Sequence, residues 1–95
     1  MFDGLSDPNK STDPDLGDRE WLIYPNPIQD EFNVLTSLNE PYSIEIYDVS
    51  GEMVYSSSEN SGKATIDATG FSAGVYVIKL SNEYGNVYTE KVVKL

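Results

Sequence analysis

A chain of 95 residues fits one domain with a modest core, because a domain this small buries only a little over half of the surface its unfolded chain exposes. It contains no cysteine and no histidine, which removes disulfide frameworks, thiol nucleophiles, Cys/His zinc sites and the commonest acid–base side chain. Sixteen acidic residues against six basic ones give a formal charge of −10, a balance that repels phosphate backbones and anionic lipid and argues against nucleic acid as a partner.

The first twenty residues, Met1 to Glu20, carry Asp3, Asp7, Asp13, Asp15, Asp18 and Glu20, two prolines and few apolar side chains. Such a composition does not offset the entropy of ordering, so this stretch reads as a flexible acidic linker. Asp7, Asn9, Ser11, Asp13, Asp15 and Asp18 occupy the first, third, fifth, seventh, ninth and twelfth places of a calcium-loop register. The register is poor: Thr12 stands where glycine is needed, Pro8 and Pro14 restrict the loop, and Asp18 is shorter than the usual bidentate Glu. A solvated spacer explains these residues better, and no cofactor is expected. No apolar run approaches the length of a membrane span, so direct membrane insertion is not expected. Met1 to Asp7 lacks the basic and apolar regions of a signal peptide, so if the protein is exported its signal peptide lies outside this chain, which then reads as an excised C-terminal piece.

From Trp21 the pattern changes to short β-branched and aromatic runs separated by Gly, Asn, Ser and Pro, the signature of an all-β sandwich spanning residues 21–95. Seven antiparallel strands are expected in an immunoglobulin-like arrangement. They run from Trp21 to Tyr24, Glu31 to Thr36, Tyr42 to Asp48, Glu52 to Ser57, Lys63 to Asp67, Val75 to Ser81 and Val87 to Lys94. Period-two alternation puts Tyr42, Ile44 and Ile46 on one face of the third strand and Tyr76, Ile78 and Leu80 on one face of the sixth. These six residues should form the centre of the core, with Phe32, Val34, Ile66 and Val92 around them.

Between the first two strands, Tyr24-Pro25-Asn26-Pro27 forces the chain out of the ladder, since each proline lacks an N–H and extends the residue before it. Asp48-Val49-Ser50-Gly51 and Asn82-Glu83-Tyr84-Gly85 share one turn chemistry: an Asx residue first and glycine fourth predict a type I turn closed by a left-handed glycine. Phe71-Ser72-Ala73-Gly74-Val75-Tyr76 has the form of a tyrosine corner, in which the hydroxyl bonds upstream backbone. Tyr76 is then a staple.

Catalysis has little to work with. Asp30 and Glu31 are adjacent on a strand and point apart, Asp48 and Asp67 serve turns or strand ends, and no nucleophile–base constellation forms without histidine. The chain is not expected to be an enzyme. A second function stays open at this level: Trp21 and seven tyrosines would suit a carbohydrate-binding or adhesive module, with Tyr55, Tyr84 and Tyr88 as the best exposed candidates, although most tyrosines in so small a sandwich fill its core.

Tyr24-Pro25-Asn26-Pro27, the Phe32 strand, Ile44-Glu45-Ile46-Tyr47-Asp48-Val49-Ser50-Gly51, Ile66-Asp67, Phe71 to Ile78 and Lys91-Val92-Val93-Lys94-Leu95, taken in that order, resemble the type A C-terminal sorting domain of the type IX (Por) secretion system. The resemblance covers about three quarters of the chain and implies a secretion signal. Such a domain directs an N-terminal cargo through the outer-membrane translocon, with accessory proteins, and a sortase-like peptidase then removes it, often attaching the cargo to the cell surface. The protein would pass through the periplasm to the cell surface or medium. On the same resemblance, Lys91, Val92, Val93, Lys94 and Leu95 correspond to the family's terminal recognition motif. Tyr24, Pro25, Asn26, Pro27, Gly51, Gly74 and Tyr76 match positions that are mainly structural. Physically, an accessible last strand is open to capture by strand addition, while its lysines also suit an edge guarded against aggregation.

Overall fold

A computed structural model describes residues 20–95. The acidic segment before them and the calcium-loop register from Asp7 to Asp18 lie outside the described residues. The seven strands are β1 (Trp21–Tyr24), β2 (Glu31–Thr36), β3 (Tyr42–Tyr47), β4 (Met53–Asn60), β5 (Lys63–Asp67), β6 (Gly74–Asn82) and β7 (Val87–Lys94). They form two antiparallel sheets, one of three strands ordered β1-β2-β5 and one of four ordered β4-β3-β6-β7.

Alternation dictates how the sheets face each other. On β2, Phe32 and Val34 are fully buried, and on β3 and β6 so are Ile44, Ile46, Ile78 and Leu80. The register aligns them: Phe32 lies beside Ile66, Ile23 beside Val34, Ile44 beside Leu80 and Ile46 beside Ile78. Both inner faces thereby become continuous apolar surfaces that close on one core. Fully burying one such side chain stabilises by about 1.5–3 kcal/mol. At the β1 end, Trp21 meets Tyr42 edge to face with ring centroids 5.1 Å apart. Burial pushes the Tyr42 hydroxyl up to about 12, and that hydroxyl donates to the Gly62 carbonyl at 3.0 Å.

The two expected turns form with the expected chemistry. At the first, Gly51 N–H donates to Asp48 O at 3.0 Å, and Asp48 Oδ1 accepts from Ser50 N, Ser50 Oγ and Glu52 N. Gly51 has φ +89°, where a side chain is disfavoured. The Asn82 turn repeats the design, with Asn82 Oδ1 accepting from Tyr84 N and Asn86 N. The tyrosine corner also forms: Tyr76 Oη donates to Ser72 O at 2.7 Å.

Strand limits differ from expectation mainly at β4, which extends to Asn60 where Ser57 was expected. Its backbone still pairs with β3 as far as Tyr42↔Asn60, but the Ser-rich side chains give no alternating apolar signal at this sheet edge. β3 ends at Tyr47, one residue early, because Asp48 is held by the turn. β6 starts one residue early and ends one residue late.

Candidate functional site

β7 is the last strand of the four-stranded sheet, so the terminal motif lies along a sheet edge. Its side chains divide by parity. Val92 faces inward and is 1% exposed, whereas Val93 and Leu95 are 41% and 60% exposed. Lys91 is exposed on the outer face, and the half-buried Lys94 donates from Nζ to Leu95 O at 3.0 Å. The motif is therefore part core and part surface: Val92 holds the sandwich, and Lys91, Val93 and Leu95 are displayed.

The Tyr24-Pro25-Asn26-Pro27 segment lies against this terminus. Both of its prolyl bonds are cis. Asn26 Oδ1 accepts from Val93 N at 3.1 Å. The Ile28 N–H donates to Val93 O at 2.7 Å, and Leu95 N–H donates to Ile28 O at 2.8 Å. Ile28 itself is 2% exposed and forms a parallel bridge with Lys94. The expected accessible last strand is therefore accessible along only part of its length. The outward groups of Val93 and Leu95 are already bonded, and the open part of the edge lies before them. Sequence reasoning missed Ile28, whose signal was a single apolar residue directly after Pro27.

The strand's other end is fixed by Asn82 N–H donating to Asn86 O at 3.1 Å. Beside it a shallow groove of about 590 Å³ runs between the start of β1 and β7, lined by Glu20, Trp21, Asn86, Val87, Tyr88 and Glu90. The chain enters the sandwich here: Glu20 O accepts from Thr36 Oγ1 at 2.8 Å and from Ser37 N at 3.2 Å. The segment that leads into the domain and the open part of the β7 edge thus lie at one corner.

Other candidate groups have structural duties. Asp67 Oδ1 accepts from Thr69 N at 3.0 Å and Thr69 Oγ1 at 2.7 Å. These bonds hold its carboxyl below its ordinary value, and the Ser50 hydroxyl and Glu52 amide do the same for Asp48. Each carboxylate is committed to its own turn. Among the described residues no cluster of acids could hold a metal ion. Gly74, at φ +150°, starts β6 two residues before the staple residue Tyr76.

The expectation that Tyr55, Tyr84 and Tyr88 are exposed is wrong for two of the three. Tyr55 lies opposite Ile46 and Tyr88 opposite Leu80, on the inner face, and both pack against the core. Only Tyr84, 72% exposed on a turn, is displayed among them. A single exposed ring among these three lends the sugar-stacking expectation no support.

Comparison with known proteins bears on the family and the fold. A family described as "secretion system C-terminal sorting domain" matches residues 22–95. An endo-acting ulvan lyase of Formosa agariphila is 33% identical over 72 residues, which is 75% of this chain but 14% of that enzyme. Among solved structures, an immunoglobulin-like β-sandwich protein of the DUF3244 family from Bacteroides vulgatus superposes with TM-score 0.71 at 17% identity, covering 80% of this chain and 85% of that one. PorZ, a surface component of the type-IX secretion system of Porphyromonas gingivalis, superposes with TM-score 0.67 at 18% identity, covering 79% of this chain and 11% of that one. These two likenesses establish the immunoglobulin-like sandwich.

Proposed function

The chain belongs to the secretion system C-terminal sorting domain family, and from that membership we propose how it sorts: its terminal strand is read by the type IX outer-membrane translocon, and the segment before Trp21 is where the cargo is cut free. The sorting function itself follows from the family, whose members mark secreted cargo for the Por secretion machinery and are not catalytic. The observation that carries the reading is the family match across residues 22–95. Lys91, Val93 and Leu95 are the displayed part of the terminal motif: the edge open to main-chain bonding ends at Lys91, while Val93 and Leu95, whose outward main-chain groups are already bonded, offer side chains for selectivity. Val92 contributes by holding the strand in the core.

Residues 1–20 act as the linker to an N-terminal cargo domain. A sortase-like peptidase cleaves within it and attaches the cargo to the cell surface, after passage through the periplasm. A protease needs an extended chain on both sides of the bond it cuts. The Glu20 carbonyl, held by Thr36 and Ser37, marks where the sandwich begins, so the cut falls before it. The test is a fusion of a periplasmic reporter to the full chain in type IX-competent cells. Reporter outside the cell, with its new C-terminus mapped by mass spectrometry to residues before Glu20, is the expected result. Export with the domain still attached would remove the cleavage reading.

A further inference from the structure

The three bonds at Val93 and Leu95 fix which way every backbone group of β7 points. Because Val93 uses both its N–H and its C=O on Asn26 and Ile28, it forms the non-bonded pair with Val75, and the bonds to β6 fall on its neighbours. Asn86, bonded to Asn82 at the other end, has the matching parity. Val87, Thr89 and Lys91 therefore direct three N–H and three C=O groups away from β6, on the strand that ends its sheet.

Charge singles out the same place. Of the four lysines among the described residues, Lys79, Lys91 and Lys94 lie on β6 and β7. The outward side chains of these two strands are Val75, Val77, Lys79 and Ser81 on β6 and Val87, Thr89, Lys91 and Val93 on β7, with no acid among them. On a chain of charge −10 this is a local reversal of sign. Lys79 faces Glu45 across β3, a carboxylate that already accepts from Tyr47 Oη. Lys91 faces Val77 and is flanked along its own face by Thr89 and the exposed Val93.

Building on the sorting reading, we propose that an extended segment of the secretion machinery adds to β7 as a further strand over Val87 to Lys91, with an acidic side chain set beside Lys91. The Asn26–Ile28 loop ends the added strand, because Ile28 already occupies the next edge position. Five residues span about 17 Å at the rise of a strand, so the added strand is short and its register is fixed by the loop. A lysine that only guarded the edge against aggregation would be replaceable by glutamate, which guards equally well. A lysine that binds an acidic strand would not.

The experiment uses the full chain fused to a periplasmic reporter in type IX-competent cells. Lys91→Glu keeps a charge on the edge and disturbs no ladder bond. Thr89→Pro removes one outward N–H while leaving the bonds to β6 intact. Each should lower export about tenfold or more, as expected for loss of interactions worth one decade of affinity, while Lys63→Glu on the other sheet leaves it unchanged. If both edge variants export like the unaltered chain, the docking edge is refuted and sorting stands. Loss in Thr89→Pro alone refutes the acidic partner. A dimer of the unaltered chain in sedimentation that Thr89→Pro dissociates would make the occupant a second copy and overturn the proposal. An unaltered chain that is not exported at all removes the sorting reading itself.

Discussion

Replacing Asn26 with alanine isolates the contact between the proline segment and the terminal strand. Asn26 Oδ1 accepts the Val93 N–H at 3.1 Å, at an exposed position where water takes over when the amide is removed. The net cost of such a bond is about 1 kcal/mol, which raises the population of a locally open terminus about fivefold. Two bonds remain, Ile28 N–H to Val93 O at 2.7 Å and Leu95 N–H to Ile28 O at 2.8 Å. The Ile28 side chain also stays in the core, so global unfolding in urea should fall by no more than that same amount. Amide hydrogen exchange by NMR reads the difference residue by residue. Val93 and Leu95 should exchange about fivefold faster in Asn26→Ala, while Val92, bonded to β6 and buried, changes only with global stability. Unchanged exchange at Val93 would refute the clamp. Equal acceleration at Val92 and Val93 would show that the segment supports the whole fold and not the terminus.

Three further outcomes follow from the core and the turns. Tyr76→Phe keeps the ring, which packs 5.2 Å from Phe71, but removes the 2.7 Å bond to Ser72 O; it should lower unfolding free energy by about 1 kcal/mol in urea titration, and an unchanged midpoint would deny the staple. Gly51→Val puts a β-branched residue at φ +89° and should cost about 1–3 kcal/mol, visible as a lower thermal midpoint. Asp48 and Asp67 have carboxyls held below their ordinary values by turn hydrogen bonds. Their contribution is therefore present above the unfolded carboxylate range and lost as pH falls through the folded values. Urea midpoints should decline as pH falls below the ordinary carboxylate range, and the decline should be shallower in an Asp48→Ala, Asp67→Ala double variant.

The strands whose one face is buried were legible because a period of two leaves a mark wherever one side meets oil and the other water. That mark located β3 and β6 within a residue or two and named their core positions. It fades where neither face is buried, as along the Ser-rich end of β4. It is ambiguous where both faces carry apolar groups, as on β7, where Val87 and Val93 face out while Tyr88 and Val92 face in. With that ambiguity the sequence alone does not place Tyr88 on the inner face. Turn chemistry was legible because Asx and glycine act within four residues. The Asn26–Val93 contact joins residues 67 apart, and no local pattern encodes it; the terminal motif was found by resemblance, and its division into core Val92 and displayed Lys91, Val93 and Leu95 came from burial.

The most direct test of the central claim is the fraction of a periplasmic reporter that leaves the cell when fused ahead of the full chain, compared between type IX-competent cells and otherwise identical cells lacking the outer-membrane translocon. Sorting predicts reporter on the surface or in the medium of the first and retained in the periplasm of the second. Equal retention in both, with the sandwich folded, would contradict it.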